Sequence, residues 1–172
     1  MTHRPGRVLP VVTAPAAVLS APAAPVDPRD PAIVEIAADL VATMRVSPGC
    51  VGVAAPQVGA GVRVFVLDIT GHRKARSCHG LVVLANPRIL AARQPEPGRE
   101  GCMSVPDLTG DVARPARITV TGTVPGTGEQ RTVTADAFEA RAFQHELDHL
   151  DGLLFLDRVV GAHALHRRRR YL

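Results

Sequence analysis

An α+β fold is predicted for this chain of 172 residues by three observations. A helical repeat stands near the start, a run of β-type segments fills the middle, and a second helical stretch follows them. The length suits one domain, and no linker or internal repeat divides the chain, so 1–172 reads as a single domain. Within it, 1–30 reads as an irregular strap and 158–172 as a basic C-terminal helix or tail.

The strap reading rests on Pro10, Pro15, Pro22 and Pro25. Each proline removes a backbone donor, so the alanine-rich stretch from Val8 to Ala24 cannot form the uninterrupted helix of a signal peptide or a membrane span. Asp30-Pro31 then supplies an N-cap and a proline at the first helical position. Ile33, Ile36, Ala37, Leu40, Val41 and Met44 recur at helical spacing until Ser47-Pro48-Gly49 ends the helix. Strands are expected over 62–69, 81–85, 117–124 and 131–134, the last two joined by a loop at Pro125-Gly126-Thr127-Gly128. A second helix is expected from about Asp136 to Leu150, stopped at Asp151-Gly152. A third is expected after Asp157, ending in the run Arg167 to Arg170.

Composition narrows the function classes. Hydrophobic residues make up 46%, too many for a disordered chain, and three cysteines are too few for a disulfide-stapled module. The net charge is +4, and Lys74 is the only lysine among twenty basic residues. With 3% aromatic residues and no tryptophan, stacking on nucleobases is not a main function.

The chemistry gathers on the second helix, in His145-Glu146-Leu147-Asp148-His149. Residues four apart share a helix face, so both imidazoles can reach one metal ion, while Glu146 can take a proton from water beside it. The bland alternative is an amphipathic helix with solvated histidines. Two histidines leave the ligand set incomplete. Phe155 stands where one protease pattern has its third histidine, no glutamate follows Glu146, and Asp151 and Asp157 are formal candidates only. An upstream ligand is therefore sought. Cys102, in Glu100-Gly101-Cys102-Met103-Ser104, offers a thiolate suited to Fe(II) or Zn(II), with Cys50 and Cys78 as competitors. A third segment, Cys50 to Gln57, combines small residues with a glutamine whose amide could donate to a developing oxyanion.

These three segments, in this order, resemble the GΦGΦAAPQ, EGCLS and QHExDHLxG segments of the polypeptide deformylase family. The resemblance covers the chain to about Asp157. It implies antiparallel sheets packed around a central helix carrying the HExxH motif, with an N-terminal helix and a C-terminal helix or tail. It also implies removal of the formyl group from the N-terminal formylmethionine of new polypeptides, in the cytoplasm, by a monomer with no membrane or sequence-specific nucleic-acid partner. Cys102, His145 and His149 would hold one divalent metal, Fe(II) in the native enzyme and Zn(II), Ni(II) or Co(II) as alternatives. Glu146 would move the proton, and Gln57 and the Met103 N–H would receive the oxyanion. Val51, Gly52 and Gly101 would pair with the substrate backbone, and Phe138 and Ala142 would line the methionine pocket.

Two positions depart from the family pattern. Cys50 stands for its first glycine and Met103 for its leucine, the first adding a side chain beside the expected groove. The arginine run 167–170 is expected to be a solvated tail, with the ribosome as a further contact. A metallopeptidase and a catalytically idle ribosome-binding relative are the competing readings.

Overall fold

The computed structural model describes residues 5–168. The first helix, α1 (Pro31–Val46), starts as expected, with the Asp30 carboxylate accepting the N–H of Ala32 at 2.9 Å. It buries Ile33, Ala37, Leu40 and Met44. The same face also buries Asp39 and Thr43, and these two polar residues hold the strap. Asp39 accepts the Arg7 N–H at 2.7 Å and Thr43 Oγ1 accepts that of Leu9 at 3.0 Å. The strap then runs on irregularly, and its N–H groups of Val12 and Ala14 donate to the carbonyls of Gln57 and Ser104.

Six strands form one antiparallel sheet: β1 (Gly52–Ala54), β2 (Val64–Leu67), β3 (Val82–Cys102), β4 (Val105–Thr123), β5 (Gln130–Asp136) and β6 (Leu165–Arg167). The first five lie side by side in chain order, and β6 joins β4. A single sheet thus replaces the several expected. The strands over 81–85 and 117–124 prove to be the ends of a long β3–β4 hairpin. The middle of its β3 arm, rich in arginine, proline and glycine, is exposed and carries no apolar alternation, while the facing β4 arm buries Val112 and Arg114. Pairing with β4 makes the β3 middle a strand, Pro95 lying opposite Pro115. The hairpin is irregular just where it matters, with a register shift between Gly101 and Cys102. Such a bulge re-aims the side chain that follows it.

Helix α2 (Ala137–Leu150) packs against β1, β2, β4 and β5. Phe143 meets Phe65 edge-on, ring centroids 5.8 Å apart, inside the main core. Gly152, at φ +76°, supplies the left-handed residue that stops the helix. Beyond it the expected third helix is absent from the described residues. The chain makes two short 3₁₀ turns, Phe155–Arg158 and Ala162–Ala164, and enters β6. Val159, Val160 and Gly161 are poor helix formers, and the backbone of Leu108 to Gly110 supplies strand partners instead. Arg169 and Arg170, half of the arginine run, lie outside the described residues.

Candidate active site

A cavity of about 370 Å³ opens where β1, the turn of the β3–β4 hairpin and α2 converge. Cys102 reaches it from the bulge, and His145 and His149 from one face of α2. Their ligand atoms all lie within 4.8 Å of one another. Cys102 Sγ is 3.3 Å from His149 Nε2, and the two imidazoles stand edge-to-face. Metal–ligand bonds of about 2.0–2.3 Å in a tetrahedron set donor atoms about 3.5 Å apart, so a thiolate and two imidazoles so placed fit a small divalent ion. Of the competitors, Cys78 is exposed, Asp151 pairs with Arg63 at 2.8 Å, Asp157 caps the N–H of Leu154, and Cys50 lines the groove without joining the ligand cluster.

Glu146 projects into the same cavity, 4% exposed, and its Oε2 has no protein partner among the described residues. Burial pushes its carboxyl up to about 7. Gly52 makes room for it, since a Cβ there would stand 2.6 Å from Glu146 Oε1. Gln57 is held by its carbonyl, which accepts the Ala54 N–H at 3.0 Å. Its NH₂ group therefore faces Cys102 Sγ at 3.4 Å and Ser104 Oγ at 3.3 Å. Val51, Gly101, Met103, Phe138 and Ala142 also line this cavity, so every expected site residue except His149 is on its wall. His149 is buried behind it at 1% exposure.

Cys50 lines the groove as well, its thiol donating to the Gly52 carbonyl at 3.1 Å. Burial, reinforced by the Glu146 charge, pushes that thiol up to about 12. Met103 packs against the cluster around α1 as well as lining the cavity.

Beneath the ligands lies a charge network that the sequence reading did not assign. Glu100, 6% exposed, receives Arg114 through two hydrogen bonds of 2.6 and 2.9 Å and Arg141 through a third of 2.9 Å. Its Oε2 also lies 2.9 Å from His145 Nδ1. Arg114 continues to Asp148 at 2.7 Å, and Arg158 closes on the same carboxylate at 2.7 Å. Burial alone would raise the Glu100 pKa, but the Arg114 and His145 contacts outweigh it and hold the carboxyl far below its ordinary range. The motif positions of Glu100 and Asp148 were the available signal. Arg114 had none, because a buried arginine on a strand looks like any exposed one in sequence.

The family model for polypeptide deformylase matches residues 8–164. A peptide deformylase of Halothermothrix orenii is 43% identical over 143 residues, covering 83% of this chain and 88% of the relative. One from Chlorobaculum tepidum is 41% identical over 152 residues, covering 88% and 80%. Among solved structures, peptide deformylase from Thermotoga maritima superposes with a TM-score of 0.79 at 34% identity, covering 90% of this chain and 99% of that one. The Synechococcus elongatus enzyme in complex with actinonin gives 0.80 at 32% identity, covering 95% and 86%.

Proposed function

Because this chain belongs to the polypeptide deformylase family, we propose that it removes the formyl group from the N-terminal formylmethionine of newly made polypeptides, releasing formate. The observation that carries the reading is the convergence of Cys102, His145 and His149 beside Glu146 in one groove.

Cys102, His145 and His149 are the residues that would hold one divalent ion, Fe(II) in our reading, with Zn(II), Ni(II) and Co(II) as functional substitutes. When bound, the ion supplies a Lewis acid that acidifies water and polarises the formyl carbonyl. Glu146 accepts the proton of the attacking water and returns it to the departing amine. Its buried carboxyl, with one oxygen free of any protein partner among the described residues, is placed for both transfers. The Gln57 NH₂ and the Met103 N–H stabilise charge on the formyl oxygen. Gln57 can do this without reorganising, because its carbonyl end is already held. Val51, Gly52 and Gly101 take the substrate as an added strand, supported by the place of β1 at the edge of the sheet. Phe138 and Ala142 form the methionine pocket.

We read the chain as one catalytic domain with α2 as its central element, supported by the packing of α2 against four strands. It acts as a cytoplasmic monomer on nascent chains, meeting them at the ribosome. No helix among the described residues is long and apolar enough to cross a membrane. An anaerobic assay of the Fe(II)-loaded protein on formyl-Met-Ala-Ser, following formate, tests the reading. Turnover is expected, with no cleavage of the unformylated tripeptide. Absence of turnover with one metal bound per chain defeats it, and cleavage of internal bonds in both peptides favours a metallopeptidase.

A further inference from the structure

The wall of the groove is electrically one-sided. Lys74, Arg99, Arg141 and Arg168 line it, and its only acids are Glu100 and Glu146. Two of the four cations are engaged: Arg141 donates to Glu100 and to the carbonyls of Glu96 and Val112, and Arg99 pairs with Asp111 at 3.0 Å. Lys74 and Arg168 have no acidic partner among the described residues. A neighbouring depression shares Lys74, Arg99 and Arg141, adds Arg73, Arg76 and the already paired Arg114, and has Glu96 as its only acid among the described residues.

Both unpaired charges sit on anchored backbone. The Arg168 N–H donates to Asp107 O at 2.9 Å, directly after β6 has paired with β4. Its guanidinium donates to Cys102 O at 3.2 Å and lies 3.5 Å from where a Cβ on Gly101 would stand. Lys74 rides on a loop pinned at both sides. His72 stacks on Phe138 with centroids 3.8 Å apart, and the Ser77 hydroxyl and His79 N–H donate to the buried Glu139 at 2.5 and 2.8 Å. The loop thus holds its lysine at the groove with no acidic partner for its side chain among the described residues.

We propose that the groove selects formylated peptides with acidic side chains directly after the formylmethionine, Arg168 and Lys74 being the specificity-determining residues. The proposal rests on the deformylase reading above. Preorganised cations facing an extended chain attract carboxylates and repel other cations, an effect that salt weakens. A nucleic-acid strand is the poorer occupant. Such strands are gripped by stacking, and among the described residues the one phenyl ring lining the groove, Phe138, is already stacked on His72, while the other ring, His145, belongs to the ligand cluster.

Three C-terminally amidated peptides test this: formyl-Met-Asp-Glu, formyl-Met-Ala-Ser and formyl-Met-Arg-Lys. Two exposed pairs should favour the acidic peptide over the neutral one by about threefold or more in kcat/KM, chiefly through KM, with the basic peptide worst. The ratio should collapse in about 0.5 M NaCl. It should also collapse at low salt in the double variant Arg168→Gln, Lys74→Gln, each variant being judged by its own acidic-to-neutral ratio. Equal turnover of all three peptides overturns the proposal and leaves the deformylase reading standing. Turnover of none defeats that reading, and calorimetric binding of Met-Asp-Glu against Met-Ala-Ser then decides the selectivity alone. Inhibition by a short RNA, with no advantage for the acidic peptide, also overturns the proposal and assigns the cations to nucleic acid.

Discussion

His145 Nδ1 lies 2.9 Å from the Oε2 of Glu100, tying the ligand-bearing face of α2 to the β3 strand that carries Cys102. Glu100 is itself fixed by Arg114, which also grips Asp148 one turn along the helix. One buried guanidinium therefore sets the distance between the two elements that supply the metal-site residues. An imidazole oriented by a carboxylate presents its other nitrogen in a fixed direction and with greater basicity.

Glu100→Gln is expected to keep the fold and weaken metal binding by roughly 10- to 100-fold. Competition against a calibrated chelator reads this directly. Unchanged affinity would show that the packing of α2, and not Glu100, orients His145.

Arg114→Met leaves two carboxylates, Glu100 and Asp148, buried beside an apolar side chain. Breaking one partner out of a buried ion network costs about 3–5 kcal/mol, which for a domain of this size lowers Tm by roughly 10 °C. Thermal unfolding at neutral pH is the measurement. A change under 1 °C would mean that Arg141 and His145 suffice to hold Glu100, and Arg158 to hold Asp148.

Glu146→Ala should retain one metal per chain and lose about 10²- to 10⁴-fold in turnover, the size of a positioned proton-transfer group. Metal analysis and formate release are read on the same sample. Loss of the metal instead would assign Glu146 to the ligand set.

Gly52→Ala should fold and bind metal yet lose on the order of 100-fold in kcat, because the added Cβ would stand 2.6 Å from Glu146 Oε1 and displace the carboxylate. A crystal structure of the variant with Glu146 unmoved would refute the cause even if activity fell.

Cys50 and Cys78 should differ sharply in alkylation. The Cys50 thiol, raised to about 12, is almost wholly protonated at pH 8, whereas Cys78 is exposed. Iodoacetamide at that pH followed by peptide mass analysis should find Cys78 modified and Cys50 intact. Equal labelling would place Cys50 in a far more accessible setting than the groove wall.

Local signals were legible before any folding was considered. Asp30-Pro31 and Gly152 bounded the helices because capping depends on neighbours in the chain. His145 and His149 could be paired because helical spacing puts them on one face. The hairpin and the C-terminal segment were not legible in the same way. The stretch from Arg93 to Gly98 has no apolar period, and it is a strand because β4 faces it. Leu165–Arg167 became a strand because β4, paired with β3 on one edge, offered its other edge at Leu108 to Gly110. Both outcomes are decided by a partner distant in sequence, which a residue's own propensity does not encode.

The three cysteines divide along the same line. The sequence alone determined which segments carry thiol, imidazole and carboxylate chemistry, since those groups and their local spacing are covalent facts. Only the tertiary structure decided that Cys102 turns toward α2 while Cys78 stays outside. Only it joined Glu100, Arg114 and Asp148 into one network and brought Arg168 back to the groove. Those contacts cross 14 to 66 residues of chain, and a bulge, a bidentate ion pair and a strand pairing fix them through geometry that exists only once the sheet has formed.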